Sequence, residues 1–233
     1  MTQHILDIDS PCFLREQQLA GPADLTAAFA GDGPLSLEIG CGLGDFMIEL
    51  AARHPDRNFL AIDIYNKGCL KTCRKIEAAG LENVRVMRIE ARYLMARYLT
   101  ENSLAAVYIN CPDPWPKKRH RRRRLVNDAF LRNLLHYLQP AGDLFFSSDF
   151  LDYAEQVAEE LSGLSGYENR LPQALVTEFP DYPLSNYMRR FLQQGQPIHY
   201  LHYRKTPSAV AAPAPLGAVQ PGFRVAWSQP GHA

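Results

Sequence analysis

The chain has 233 residues, 46% of them hydrophobic, which is enough for one substantial core with a working face beyond it. Lys plus Arg and Asp plus Glu each total 25, so the formal net charge is zero and any attraction to a polyanion has to be local rather than global. The N-terminus lacks the basic start and apolar core of a secretory signal, and no apolar run approaches the length of a membrane span. A cytoplasmic protein with no membrane partner is the expectation.

Residues 1–33 read as a polar lead-in with one short helix near Leu25–Phe29. From Leu35 to about Tyr203, short apolar runs alternate with longer amphipathic stretches, the pattern of a parallel sheet flanked by helices. Expected strands are Leu35–Ile39, Asn58–Asp63, Val84–Ile89, Ala105–Asn110, Asp143–Ser148 and Ile198–Arg204. Several are almost wholly apolar, as strands covered on both faces are. Expected helices are Asp45–Arg53, Lys67–Ala79, Leu125–Leu138 and Leu151–Leu161, with Pro140-Ala141-Gly142 stopping one of them. The expected domain covers 34–206, and the Ala- and Pro-rich 207–233 should form a tail without a core of its own. The five cysteines include no Cys-x-x-Cys pair and suit a reducing compartment. Cys69 and Cys73 share a helical face, but nothing completes a ligand set, so no metal is expected.

The first strand runs through Glu38 into Gly40-Cys41-Gly42-Leu43-Gly44 and then a helix. Glycines at a strand-to-helix turn on the carboxyl edge of a doubly wound sheet let a nucleotide-like ligand lie against the backbone. The plainer alternative is a tight turn that serves helix packing. A dinucleotide fingerprint would need its third glycine at Asp45, which weakens the case for NAD. The second strand ends at Asp63, whose carboxylate can take two ribose hydroxyls, and the third at Glu90-Ala91 on the same edge.

After the fourth strand comes Cys111-Pro112-Asp113-Pro114-Trp115-Pro116. Three proline rings fix φ and restrain their predecessors, so Asp113 and Trp115 should be held in place. Positions 117–124 then carry seven Lys or Arg and one His. Such a run is either a solvated face or, given its place at the binding edge, a phosphate-contacting segment. Trp115 can pack locally or stack on an extruded base.

Glu38 before the glycine loop, with acids closing the next two strands, resembles the S-adenosylmethionine fingerprint of class I methyltransferases. Pro112-Asp113-Pro114-Trp115 with Lys117-Lys118-Arg119-His120 and Arg122-Arg123-Arg124 is similar to the signature of bacterial tRNA (guanine-N7)-methyltransferases, and the resemblance extends from about Leu35 to Arg204. It implies an α/β fold with a doubly wound, mostly parallel sheet whose last strand is antiparallel, S-adenosylmethionine as cofactor, and tRNA as partner. By it, Glu38, Gly40, Gly42, Gly44, Asp63, Glu90, Ala91 and Asp113 are cofactor-binding. Asp113 is also the catalytic position, and Lys117, Asp149, Ser185 and Met188 match substrate-contacting positions. Arg119, His120, Arg121, Arg122, Arg123 and Arg124 match the RNA-contacting segment. A monomer or homodimer is expected.

The family motif Thr-x-Tyr/Phe-Glu falls here on Ser185-Asn186-Tyr187-Met188. Serine keeps a hydroxyl, but methionine cannot accept from a guanine edge or balance positive charge. Either Glu178 or, second, Asp181, just upstream, takes that role, or base selection has changed. Alternatives are an RNA-binding protein with the fold but weakened catalysis, and a methyltransferase acting on another RNA or a small molecule.

Overall fold

The structure is a computed structural model that describes residues 5–212. Most of the expected 207–233 tail lies outside the described residues. The chain divides into two compact units, the first running through Thr100 and the second starting at Glu101.

The first unit contains β1 (Phe13–Leu14), α1 (Pro22–Ala27), β2 (Leu35–Ile39), α2 (Asp45–Arg53), β3 (Asn58–Asp63), α3 (Asn66–Ala78), β4 (Val84–Arg88) and α4 (Ala91–Tyr98). Its strands lie in the order β1-β4-β3-β2, all parallel. Leu37, Phe59, Leu60, Ala61, Ile62, Val84 and Val86 are all buried, as the apolar runs required. Each large aliphatic or aromatic side chain so buried contributes about 1.5–3 kcal/mol. The helices close over the strands with Phe46, Met47, Leu50 and Ala51 from α2 and Cys69, Thr72, Cys73 and Ile76 from α3. Cys12, Cys41, Cys69 and Cys73 are therefore core thiols. Ile39 pairs with Ile62, and Asp63 with Arg88. This register brings the glycine loop, Asp63 and Glu90 to one edge.

The lead-in departs from its expected polar character. Ile8 and Cys12 are buried, β1 adds a strand beside β4, and Asn66 holds the backbone of Leu6 through both its amide nitrogen and its oxygen (3.1 and 2.8 Å). The short helix starts earlier than expected because Pro22 occupies its first turn, where a missing N–H costs nothing.

The second unit contains β5 (Leu104–Asn110), α5 (Asp128–Tyr137), β6 (Leu138–Ser148), α6 (Leu151–Ser162), β7 (Tyr167–Asn169), α7 (Asn186–Gln193) and β8 (His199–Lys205). The order is β5-β6-β8-β7, with β5 and β6 parallel and both β8 pairings antiparallel. The closing antiparallel strand is as expected, while β7, α4 and α7 were not anticipated. α5 begins at Asp128 rather than Leu125 because Asn127 caps it, accepting from Phe130 N–H at 3.1 Å.

β6 starts five residues before the expected Asp143. Leu104 pairs with Leu138 and Ala106 with Asp143, so β6 spends extra residues where β5 advances by two. Pro140, which has no N–H, and Ala141, at φ 62°, occupy this bulge. Among the described residues no helix is long and apolar enough to cross a membrane, and no group of three His, Cys, Asp or Glu residues can hold a metal ion. A Cβ on Gly142 would lie 2.9 Å from Gln139 O and 3.1 Å from Leu104 O, both backbone atoms. Gly142→Ala should therefore destabilise the protein by about 1–3 kcal/mol in urea denaturation.

Candidate active site and basic segment

In the first unit, three glycines make the edge. Gly40, Gly42 and Gly44 all have positive φ (83°, 55° and 79°), a region that side chains other than glycine rarely enter. The space where a Cβ of Gly40 would stand is open, whereas one on Gly44 would lie 2.6 Å from Thr72 Cγ2. Gly40 thus leaves room for a ligand and Gly44 lets α3 pack. Gly68, which the sequence reading passed over, has the same packing role: its Cβ would meet Gly42 O at 2.5 Å. The available signal was a glycine inside a helical pattern.

Asp63 pins the loop. One carboxylate oxygen accepts from Gly42 N–H and the other from Tyr65 N–H, both at 2.8 Å. Glu38 is buried at the end of β2. Glu90 caps α4 through Tyr93 N–H at 3.1 Å, pairs with Arg92 at 2.7 Å, and precedes the buried Ala91.

In the second unit, β5 delivers the chain into the proline segment through Cys111, at φ 45°, and Trp115 sits at φ 44°. Backbone strain at two such residues is held by the prolines and by Cys111 N–H donating to Ser147 O at 2.9 Å. Asp113 is exposed and Trp115 half-buried. Arg123 lies over the indole at 4.8 Å and His120 meets it edge-on at 5.9 Å.

The basic segment folds as a 3-10 helix over Lys118–Arg123. Lys117, Lys118, Arg119, Arg121, Arg122 and Arg123 are exposed, and Arg121 is also salt-bridged to Asp152. Arg124 differs from its neighbours. Its side chain is 0% exposed, with Nε donating to Pro114 O (2.8 Å), one terminal nitrogen to Gln156 (2.5 Å) and the other to Asp152 (2.7 Å). Its guanidinium lies over the Tyr153 ring at 4.6 Å. The expectation that Arg124 contacts RNA therefore needs correcting: it is an internal anchor that fastens the proline segment to α6.

Asp149 follows the buried Ser148, half-buried itself, and burial raises its carboxyl above the usual range while His199 opposes the shift. Burial, aided by the Asp149 charge, pushes the Cys111 thiol up to about 12. Ser185 caps α7, its Oγ accepting from Met188 N–H at 3.2 Å. Met188 is fully buried with Ile198 and Tyr200, against Phe179, Tyr182 and Phe191. Glu178 and Asp181 are both exposed, on either side of Phe179, and Asp181 has φ 61°. The sequence reading also missed Asn110. Its oxygen accepts from Ser147 Oγ and Tyr182 Oη, each at 2.9 Å. A polar residue closing an otherwise apolar strand was the signal.

Solved structures share this architecture. The crystal structure of 16S rRNA methyltransferase KamB superimposes with a TM-score of 0.59 at 14% identity, covering 79% of this chain and 94% of that one. An antibiotic-related methyltransferase gives 0.56 at 17% identity over the same shares. A model of a family described as putative methyltransferase matches residues 32–201. Fold and glycine edge together thus define a methyltransferase of the doubly wound α/β class.

Sequence relatives narrow this. A tRNA (guanine-N(7)-)-methyltransferase of Syntrophotalea carbinolica is 61% identical over 98% of both chains. One of Geobacter metallireducens is 50% identical over 90% of this chain and all of that one. The chain belongs to the tRNA (guanine-N(7)-)-methyltransferase family.

Removing Arg124 would leave Asp152, Gln156 and Pro114 O without their shared donor. Arg124→Ala should cost about 2–4 kcal/mol in denaturant unfolding, whereas Arg122→Ala, at an exposed position, should stay within about 0.5 kcal/mol of the parent.

Proposed function

We propose that the chain transfers the methyl group of S-adenosylmethionine to N7 of a guanine in tRNA, the variable-loop guanosine by family resemblance, in the compartment where tRNA is processed. The observation that carries this reading is the open, left-handed Gly40 beside acids closing two successive parallel strands. Incubation with unmodified tRNA and labelled cofactor, followed by nucleoside mass spectrometry, should yield 7-methylguanosine. Labelled tRNA without that nucleoside would overturn the assignment.

The residues present fit the cofactor. In the first unit Glu38, Gly40, Gly42, Gly44, Asp63, Glu90 and Ala91 would hold it, the glycines by close backbone approach and the acids by accepting from its hydroxyl and amino groups; Asp113, in the second unit, is assigned to the cofactor by family resemblance alone. When bound, S-adenosylmethionine supplies an electrophilic methyl carbon. Guanine N7 carries an unprotonated in-plane lone pair, so the chain needs no general base. Its residues have to align the base and balance the positive charge formed on it. Asp113 does this electrostatically, while Lys117, Asp149 and Ser185 position the base and Met188 packs beneath Ser185. Phosphate contacts come from among Lys117, Lys118, Arg119, His120, Arg122 and Arg123, with Arg121 shared with Asp152, on a segment that Arg124 fixes.

One observation favours a second reading, an RNA-binding protein with weakened catalysis: the family carboxylate position is held by Met188 inside an apolar cluster. Turnover in the same assay separates the two.

Asp63→Ala should weaken binding of S-adenosylhomocysteine, read by calorimetry, by at least about 1.5–3 kcal/mol, because it removes a charged acceptor and frees Gly42 N–H together. For RNA, with Arg124 internal and Arg121 shared with Asp152, about three to four phosphate contacts remain. Log K should then fall against log salt with a slope of roughly −2 to −3.5. Lys118→Ala with Arg122→Ala should flatten that slope and leave cofactor affinity unchanged.

A further inference from the structure

Asn110 closes β5 and immediately precedes the segment that carries Asp113. It is 9% exposed, and its Nδ2 is buried without a hydrogen-bond partner among the described residues. The amide is not loosely placed. Two hydroxyls converge on its oxygen, Ser147 from the paired position on β6 and Tyr182 from the turn before α7. Tyr182 is itself held by Phe179, stacked at 5.2 Å, and by Tyr200, edge-on at 5.4 Å. The oxygen is thus fully engaged while both N–H donors are left over. Buried donors are almost always matched in native proteins, and an exception calls for an acceptor that the described residues do not supply.

We propose that Asn110 is a specificity-determining residue, its Nδ2 donating to the O6 carbonyl of the target guanine. This rests on the reading of guanine N7 as the methyl acceptor. On the relevant edge guanine presents two acceptors, N7 and O6, whereas adenine presents N7 and an amino donor. N7 has to stay free to react, so O6 is the atom through which the base can be held and told apart. A fixed N–H donor binds O6 and opposes the adenine amino group, which leaves two donors facing each other. A site built on such a donor rejects a base lacking its partner far more strongly than shape alone does, because the buried donor is then left unmatched. With Met188 supplying no carboxylate, a donor to O6 also gives the site a guanine contact that needs no acid.

The test is a cycle of Asn110→Asp against a tRNA whose target guanosine is replaced by 2-aminopurine riboside, which keeps N7 and lacks O6. Asp keeps an acceptor for Ser147 and Tyr182 but offers no N–H. The native chain should favour guanosine by roughly 10- to 100-fold in kcat/KM, and Asn110→Asp should lose about the same factor on guanosine. On 2-aminopurine the variant should match the native chain within about threefold, with unchanged S-adenosylhomocysteine affinity. Equal losses on both substrates, or none on guanosine, would overturn the proposal while leaving the N7 reading intact. A native chain that forms no 7-methylguanosine would instead remove that reading, and this one with it. Should Asn110→Asp fail to fold, Tyr182→Phe, which removes one of the two groups orienting the amide, runs the same cycle with the same signs and smaller factors.

Discussion

The Asp63 carboxylate, shared between two backbone N–H groups, is the interaction on which the glycine edge depends. A loop with three left-handed glycines has little stiffness of its own, since the freedom that lets glycine enter that region also raises the entropy cost of fixing it there. Bonds from Gly42 and Tyr65 to one charged acceptor offset that cost, at about 1.5–3 kcal/mol each for a charged partner. They also tie the loop after β2 to the turn after β3, so the register of two neighbouring strands becomes the geometry of the glycine edge. The acid expected only to meet a ribose thus also shapes the loop beside it.

Arg124 does for the basic segment what Asp63 does for the loop. Seven Lys or Arg side chains within eight positions repel one another and favour an extended, solvated chain. Burying one of them against Asp152, Gln156, Pro114 O and the Tyr153 ring gives the run an internal attachment, and the rest then form a short helix with their charges outward. Asp152 also takes Arg121, so a single α6 carboxylate partly neutralises two members of the run. Only Arg124 leaves the surface; Arg121 stays exposed while paired with Asp152.

The strand-and-helix alternation was legible because its cause is simple: strands covered on both faces have to be apolar, and Leu35–Ile39 and Asn58–Asp63 fall where that rule puts them, with α2 between them where the amphipathic period puts it. The acid and glycine positions were legible because they stand at strand ends. The short elements were not. β1 and β7, with two and three residues, carry no periodicity, and the bulge that starts β6 at Leu138 hides under a Pro-Ala-Gly sequence that reads as a turn. Arg124 was illegible for another reason. Nothing in a run of like charges distinguishes the member whose partners lie 28 and 32 positions further along. Asn110 needed Tyr182, 72 positions away, to show which of its atoms was already engaged.

The Met188 position joins these points. A carboxylate placed among Ile198, Tyr200, Phe179 and Tyr182 would be desolvated and would shift toward its neutral form, so it could not simply be inserted into this cluster. The turn before α7 has instead become an aromatic layer, with Phe179, Tyr182 and Tyr200 packed together and the Tyr182 hydroxyl turned to Asn110. Losing an acceptor at Met188 and fixing a donor at Asn110 are thus two sides of one packing arrangement. On the proposal made for Asn110, recognition of the base would rest on an amide at the end of a buried strand rather than on an acid of the helix. A strand end is the more rigid platform, because β6 holds Asn110 through the backbone ladder as well as through Ser147.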